Sequence, residues 1–221
     1  MWTFFLCTVI STDPLVPLGI CQSVDGGLLV TLIENGADYY KLDSHSRRLS
    51  VDGGLLVSLR ERESDLYNLK SHSRRLVRHF TVRGDVIHEY EYQEDGQTRL
   101  FTLPYRMTQS SNSGICVVNR TNEHVGNLVI MSPSGRIKSV YRGQNLKNKF
   151  SPFDVDCDSF CNILVTDIYN KQIHLLSPGG DFLKFLLSEN EENAPYTLSH
   201  NKSTLWVMHW EGLDKLIKYR V

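Results

Sequence analysis

The sequence predicts an all-β fold built from repeated four-stranded antiparallel sheets. Residues 152–187 contain four short apolar or β-branched runs separated by Gly, Pro, Asn and Asp, which is the pattern of strands joined by tight turns. The order of strand, Ser-Pro-x-Gly turn and strand recurs in residues 126–143, and related hairpins occur in residues 77–92 and 201–219. Because one such sheet cannot bury both of its faces alone, these repeated neighbours predict a β-propeller.

The clearest sheet has four strands, predicted at residues 153–156, 163–166, 173–176 and 182–187. Polar residues separate the second strand from the third, and a Pro-Gly-Gly-Asp turn closes the hairpin between the third strand and the fourth. The prediction is therefore a meander in which each strand pairs with the next one along the chain.

A direct tandem duplication precedes the regular repeats. Residues 23–49 and 50–76 are identical at 19 of 27 aligned positions. Propeller blades are longer than this unit, so the duplication indicates two copied strands, or a sequence-assembly error, and not the blade period. The second copy continues into the hairpin at residues 77–92 and is predicted to occupy a regular blade position. The first copy is either an extra hairpin or a substitute for a missing neighbour.

Several strings in the chain carry a family resemblance. NILVTD and IHLLSPGGDFL, with Asn170 between them, resemble an NHL repeat. Together with ICVVNR (115–120), GRIKSVYRG (135–143) and LWV (205–207), they resemble the C-terminal NHL propeller of tripartite-motif (TRIM-NHL) proteins, especially the expanded set found in molluscs. The resemblance covers roughly residues 55–219 and implies a six-bladed propeller.

Blade counting then sets the predicted fold class. The third strand of successive blades is predicted near Phe80, Val129, Leu175 and Ile217, a spacing consistent with blades of about 40–50 residues. The prediction is an NHL-type β-propeller of four-stranded antiparallel blades that is incomplete, with about four to five blades of six. It comprises a poorly defined N-terminal segment (1–22), a duplicated two-strand unit (23–49) and a partial NHL β-propeller (50–221).

The composition is that of an ordinary globular domain. The chain has 221 residues and a net charge of -1, with 24 basic and 25 acidic side chains, so no global basic excess indicates nucleic acid. No apolar run reaches the ~18 residues of a membrane helix. A cytoplasmic location without a membrane partner is therefore predicted. The apolar residues 1–10 are interpreted as the start of an incomplete chain, with an edge strand and a signal peptide as alternatives.

Five cysteines, an odd number, do not form a disulfide framework. They are Cys7, Cys21, Cys116, Cys157 and Cys161, and they are predicted to be buried free thiols. Cys157 and Cys161 lack nearby Cys or His partners for a zinc site, and a disulfide between them is the alternative.

No catalytic motif is found: G-x-S-x-G, H-E-x-x-H and P-loop patterns are all missing. Asp167 is predicted to close a turn onto backbone amides, with a general base as the alternative, and His174 is predicted to make a structural hydrogen bond. Asp154, Asp156 and Asp158 alternate as in a calcium loop but lack its glycine and final glutamate. Solvent-facing or turn-capping roles are predicted for them, and no cofactor or metal is expected.

A partner-binding face is predicted from topology. In a four-stranded meander, the loops between the second and third strands and between successive blades emerge at the same end. These loops carry Arg106, Arg120, His124, Tyr169, Lys171, Tyr196, His209 and Trp210. Basic and aromatic residues suit single-stranded RNA or a protein hot spot, and solvated loop residues are the alternative for each one singly.

The resemblance implies a role in substrate recognition. TRIM-NHL proteins are ubiquitin ligases whose activity lies in a RING finger, followed by B-box and coiled-coil segments, and this chain shows no zinc-ligand array or heptad stretch. The chain is therefore predicted to be no enzyme but a binder of a protein substrate, an adaptor or RNA in a ubiquitination pathway, with homo-oligomers through open propeller edges. The alternative is a metal-dependent hydrolase or lyase with inward-pointing carboxylates or histidines.

Overall fold

A computed structural model describes residues 16–22, 28–33, 42–49, 54–61, 66–71, 73–81, 85–144, 148–187, 193–201 and 204–209, with only the backbone described up to residue 49. All regular structure within these ranges is β-strand. A search of the same ranges finds no helix with the length and apolar character needed to span a membrane. The predicted segment at residues 1–10 lies outside the described part of the chain.

The strands follow one another through short turns. They are β1 (Val16–Gln22), β2 (Leu28–Ile33), β3 (Leu42–Leu49), β4 (Leu55–Glu61), β5 (Arg75–Phe80), β6 (Val86–Tyr90), β7 (Leu103–Gln109), β8 (Ile115–Arg120), β9 (Gly126–Met131), β10 (Ile137–Tyr141), β11 (Pro152–Cys157), β12 (Ile163–Asp167), β13 (Gln172–Leu176), β14 (Phe182–Phe185), β15 (Pro195–Asn201) and β16 (Thr204–His209).

The described strands form three four-stranded and two two-stranded antiparallel sheets. Strands β3–β6 form blade 1, β7–β10 form blade 2 and β11–β14 form blade 3, each as a meander; β1 pairs with β2, and β15 with β16. The first strands β3, β7, β11 and β15 contact one another in succession, so they are the inner strands around a common centre. The predicted fold class, an all-β propeller of four-stranded antiparallel sheets, is confirmed.

Blade 3 matches its predicted strands closely. Its first three strands differ from the predicted bounds by only one residue at any end, and β14 ends at Phe185, short of the predicted Leu187. Leu187 instead turns inward and is buried between blade 3 and the last sheet. The predicted strand was too long because Leu187 is apolar, although its side chain is buried in the core beyond the end of the strand.

The duplicated segment divides between two sheets. The apolar strand of its first copy is β2, which pairs with β1, whereas the end of the same copy is β3, the first strand of blade 1. The second copy supplies β4 and the start of β5. The two identical SHSRRL strings therefore contribute to the strands on either side of β4. The same sequence lies within an inner strand in one place, whereas in the other only its last two residues enter a third strand.

Each apolar core lies between two neighbouring sheets. Leu56 and Val77 of blade 1 pack with Val117 of blade 2, and all three are buried. The next residue of β8, Val118, points the other way and packs with Val165 of blade 3. A further cluster joins blade 3 to β15 and β16. Alternation along β8 thus covers both faces of blade 2, as a propeller requires.

The Ser-Pro-x-Gly turns of blades 2 and 3 pack against the preceding blade. Gly135 has φ +84°, and a Cβ there would lie 2.9 Å from the Tyr90 ring. The Tyr90 hydroxyl donates a 2.7 Å hydrogen bond to the Pro133 carbonyl of the same turn. Gly180 has φ +95°, and a Cβ there would lie 2.6 Å from Cδ1 of Ile130. Glycine is required at both turns because backbone conformation and contact with the preceding blade both exclude a side chain.

Candidate functional site

The first strand of each described sheet carries a β-bulge near its start. The shifts in register lie between Pro17 and Gly19 in β1, Ser44 and Ser46 in β3, Pro104 and Arg106 in β7, Pro152 and Val155 in β11, and Pro195 and Thr197 in β15. A bulge re-aims the side chains around it, and bulges are enriched beside active sites. Five repeated bulges therefore mark one end of the inner strands as the candidate site.

An aromatic residue follows the proline at three of these bulges. The Tyr105 ring of β7 meets the Phe153 ring of β11 edge-on, with centroids 5.0 Å apart. Phe153 in turn lies against Tyr196 of β15, with centroids 3.8 Å apart and an interplanar angle of 31°. The three rings form a continuous aromatic row across successive inner strands.

Two arginines lie beside this row. The guanidinium carbons of Arg106 and Arg120 are 5.6 Å and 5.4 Å from the centroid of the Tyr105 ring, within the range of cation–π contacts. Arg120 also donates a hydrogen bond to the Glu123 carbonyl. Nε of Arg106 is buried and has no hydrogen-bond partner in the described part of the chain. Within that same part, neither arginine forms an ion pair with a carboxylate.

The charges of these arginines affect the pKa values of two further tyrosines. Burial raises the pKa of Tyr196 above its ordinary value, and Arg106 and Arg120 partly offset that rise. Burial likewise raises the pKa of Tyr67, again offset by Arg120. The half-buried Tyr67, Tyr105, Arg106, Arg120 and Tyr196 are called the basic-aromatic cluster below. Because their pKa values are raised, the phenols of Tyr67 and Tyr196 remain protonated at neutral pH.

A histidine–tyrosine pair adjoins the cluster. Nδ1 of His124 lies 2.5 Å from the Tyr169 hydroxyl, a hydrogen bond between the loops after β8 and β12. The Glu123 carboxylate lies 3.8 Å from Nε2 of the same imidazole. Arg120 donates its hydrogen bond to the carbonyl of Glu123, the residue before His124, so the pair adjoins the basic-aromatic cluster. Carboxylate, imidazole and phenol thus stand in a line that is open to solvent.

The structure brings five of the eight predicted binding residues into contact groups. Arg106, Arg120 and Tyr196 meet in the basic-aromatic cluster, and His124 meets Tyr169. Lys171 is exposed in the turn after β12. His209 is buried, with Nδ1 3.0 Å from the Asn193 carbonyl oxygen. Trp210 lies outside the described residues, and a binding role for this set stays a prediction.

Sequence reasoning missed two members of the cluster. Tyr105 belongs to a repeat of proline followed by Tyr or Phe, seen again at Pro152-Phe153 and Pro195-Tyr196. That repeat marks the bulge and could have been found from the sequence. Tyr67 lies between β4 and β5, the second and third strands of blade 1. The prediction that such loops emerge at the same end would have included Tyr67 if it had been applied to blade 1.

The alternating aspartates link the inner strands. Asp156 is buried and accepts hydrogen bonds from the Thr108 hydroxyl of β7 at 3.2 Å and from the His200 amide of β15 at 2.8 Å. Asp154 accepts a hydrogen bond from a β15 amide in the same way. A solvent-facing or turn-capping role is therefore wrong for these two residues. Asp158 does cap its turn, as predicted, by accepting hydrogen bonds from two backbone amides.

Asp167 and His174 have the structural roles predicted for them. The buried Asp167 carboxylate accepts hydrogen bonds from the amides of Ser151 and Asn170, both at 3.3 Å. His174 is fully buried, and its Nδ1 lies 2.8 Å from the Tyr141 hydroxyl. Its Nε2 lies 3.5 Å from Asp167. This network holds the loop before β11 and does not reach the cluster.

The described side chains do not build a metal centre. Among them, no three His, Cys, Asp or Glu residues stand where they could share a metal ion. Cys116, Cys157 and Cys161 are free thiols, as predicted, but only Cys116 is buried and the other two are half-buried; the alternative disulfide between Cys157 and Cys161 is not formed. A thiol–thiol hydrogen bond to Cys116 and burial raise the pKa of Cys157 strongly.

Comparisons with known proteins support the propeller fold. No protein-family model matches the chain, and no curated protein matches it by sequence. The periplasmic gluconolactonase of Pseudomonas aeruginosa has a similar structure (TM-score 0.55, 12% identity, covering 93% of this chain and 67% of that one). So has virginiamycin B lyase from Staphylococcus aureus (TM-score 0.53, 19% identity, 85% and 55%). A Bacteroides caccae protein of unknown function is a third such structure (TM-score 0.56, 14% identity, 92% and 74%).

These similarities change one prediction. At such low identities the shared feature is the β-propeller fold, and the resemblance to TRIM-NHL proteins stays a prediction. The expectation that the chain is no enzyme is wrong on this comparison, because the similar structures include a gluconolactonase and a lyase. That expectation rested on a missing RING finger, which says nothing about chemistry carried by the propeller itself.

Proposed function

We propose that this chain is a propeller enzyme of the hydrolase or lyase class that acts at the basic-aromatic cluster. The observation that carries the proposal is the convergence of bulged inner strands on two arginines beside the His124–Tyr169 pair. Propellers of similar structure that are a gluconolactonase and a lyase support the same class. The substrate class we favour is a cyclic ester.

His124 and Tyr169 supply proton transfer in this proposal. A water molecule attacks the carbonyl carbon of the ester and gives its proton to the imidazole of His124. When the ring C–O bond breaks, the imidazolium returns that proton to the leaving oxygen, with Tyr169 as the relay at 2.5 Å. In the lyase variant, the same imidazole takes a proton from carbon and the leaving group departs as the new double bond forms. Such a pair contributes about 10²–10⁴-fold to rate.

The two arginines stabilise negative charge. A developing oxyanion beside the cluster would meet Arg106 and Arg120, which have no carboxylate counter-ion in the described ranges. Both side chains are half-buried, so their charges act in a medium less polar than water. The donor set of the described residues does not fit a metal centre, and the steps above use protein side chains alone.

A turnover assay tests the proposal. The purified protein is incubated with D-glucono-1,5-lactone, with 6-phospho-D-glucono-1,5-lactone, which is a cyclic ester that carries a phosphate, and with virginiamycin B, and products are identified by mass spectrometry. Hydrolysis adds the mass of one water, whereas elimination within a ring leaves the mass unchanged. We expect turnover above the spontaneous rate, and a loss of about 100-fold in kcat/KM for His124→Gln and Tyr169→Phe.

The matched control is Tyr92→Phe. Tyr92 is another exposed tyrosine, and it lies outside the cluster near Arg99. Its variant should retain full turnover. The proposal fails if the wild-type protein accelerates none of the three substrates, and the assignment of the proton-transfer pair fails if His124→Gln is as active as the wild-type protein.

A further inference from the structure

We propose that the basic-aromatic cluster selects small-molecule substrates that carry an oxyanion, a carboxylate or a phosphate, and holds that group between Arg106 and Arg120. The inference rests on the proposed function for the location of the site. It goes further by naming the charge of the substrate, which the similar structures do not indicate.

The first step is the charge of the site. Two guanidinium groups lie within 6 Å of one tyrosine ring, at 5.6 Å and 5.4 Å from the centroid of Tyr105. Proteins rarely bring two cations together without a counter-charge, because their repulsion is costly at partial burial. In the ranges that the structure describes, the carboxylates paired with arginines belong to Glu89, Glu91 and Glu94, which serve other arginines on blade 1 and the turn of blade 2. An anion from outside would balance the charge of Arg106 and Arg120.

The second step is the supply of hydrogen-bond donors. Nε of Arg106 is buried and lacks a hydrogen-bond partner within the described residues, so this guanidinium retains an unused donor. Arg120 donates through Nη2 to a backbone carbonyl, which fixes its guanidinium in place. The planar fork of arginine matches the two oxygens of a carboxylate or phosphate. The charge of Arg120 lowers the pKa of both Tyr67 and Tyr196 against the effect of burial, and Arg106 also acts on Tyr196.

The third step is the position of the anion relative to the chemistry. Arg120 ends β8, and the loop that follows carries Glu123 and His124. An oxyanion held by Arg120 would therefore lie next to the His124–Tyr169 pair. The arginines would position the substrate by its charged group and leave the imidazole free for proton transfer.

Calorimetric titration with benzoate and with benzamide tests the inference, because the two probes share a ring and differ in charge; inorganic phosphate is the third probe. We expect benzoate and phosphate to bind the wild-type protein, and benzamide to bind at least 10-fold more weakly. Arg106→Gln and Arg120→Gln should each weaken benzoate binding about 10-fold. Arg120→Lys, which keeps the charge and loses the fork, should fall between.

The matched control is Arg136→Gln. Arg136 is 74% exposed and lies on a turn at the opposite end of blade 2, so its variant should bind benzoate like the wild-type protein. Equal binding of benzoate and benzamide, or wild-type affinity in Arg120→Gln, would overturn the inference. If Arg106→Gln and Arg120→Gln fail to fold by circular dichroism, Arg120→Lys decides.

The two proposals fail separately. His124→Gln should lose turnover and keep benzoate binding. If the protein binds benzoate more tightly than benzamide but turns over no ester, the proposed enzyme activity is wrong and the oxyanion site stands. If the protein turns over neutral lactones but binds benzoate no more tightly than benzamide, the oxyanion site is wrong and the proposed enzyme activity stands.

Discussion

Blades 2 and 3 share one framework and differ in their interiors. Asn119, the next-to-last residue of β8, and Asp167, the last residue of β12, lie opposite prolines of the inner strand. Each side chain accepts a hydrogen bond from the loop that enters its blade: Asn119 from the Thr102 amide at 2.8 Å, and Asp167 from the Ser151 amide at 3.3 Å. An amide and a carboxylate thus do the same structural work at equivalent positions.

The pairing between the second and third strands differs between the two blades at one interior position. Val117 pairs with Val129 in blade 2, whereas Val165 pairs with His174 in blade 3. The histidine is matched by Tyr141 of blade 2, whose hydroxyl lies 2.8 Å from its Nδ1. The comparison teaches that turn and cap positions repeat from blade to blade, whereas an interior residue is chosen to suit the neighbouring blade.

Replacing the buried histidine should have the largest effect. His174→Ala creates a cavity and leaves the buried Tyr141 hydroxyl without its partner, so we expect a loss of about 3–4 kcal/mol in the free energy of unfolding. Val129→Ala, at the equivalent position of blade 2, should lose about 1–2 kcal/mol less, because it leaves no polar group unpaired. Urea unfolding measures both, and equal losses would contradict a structural role for the polar network.

The turn between β13 and β14 should be next. Gly180→Ala places a Cβ 2.6 Å from Ile130 and 2.9 Å from Ser139, so we expect a loss of about 2–3 kcal/mol. Gly96→Ala is the matched control, since Gly96 also has positive φ but no atom lies within 4 Å of its Cβ position. Its loss should be only about 1 kcal/mol, from the backbone alone. Similar losses in the two variants would show that the turn does not seat blade 3 on blade 2.

The smallest effect should be a dependence on pH at the Tyr141 phenol. Burial, with Asp167 as the second cause, raises the pKa of Tyr141. A raised pKa in the folded state means that the protonated phenol stabilises the fold below pH ~10 and that this contribution is lost as the pH rises further. Between pH 9 and 11, on the order of one unit past the ordinary pKa, the wild-type protein should lose about 1 kcal/mol more than Tyr141→Phe. Parallel losses in thermal unfolding would contradict burial of the phenol.

The features that could be predicted from the sequence are those that repeat. Gly, Pro and Asp at turns have local causes, so the meander of blade 3 and the capping role of Asp167 follow from neighbouring residues alone. The division of the duplicated segment between two sheets could not be predicted, because identical strings fold as β3 and as the start of β5 only through their different partners. The residue pattern of a strand does not determine which strands pair with it.

The candidate site shows the same limit. The prediction from loop positions brought Arg106 and Arg120 to the same end of the blades, since loop positions follow from strand order. It could not show that both share the ring of Tyr105, because that contact depends on a bulge in β7. Nor could it show that His209 is buried against Asn193, which depends on packing around the last sheet.

A crystal structure of the protein with bound benzoate tests the central claim most directly. The claim is that the bulged end of the inner strands is the functional end of the propeller. The account predicts electron density for the carboxylate between the guanidinium groups of Arg106 and Arg120, with its ring beside Tyr105. Density at another surface, with both arginines unoccupied, would contradict it.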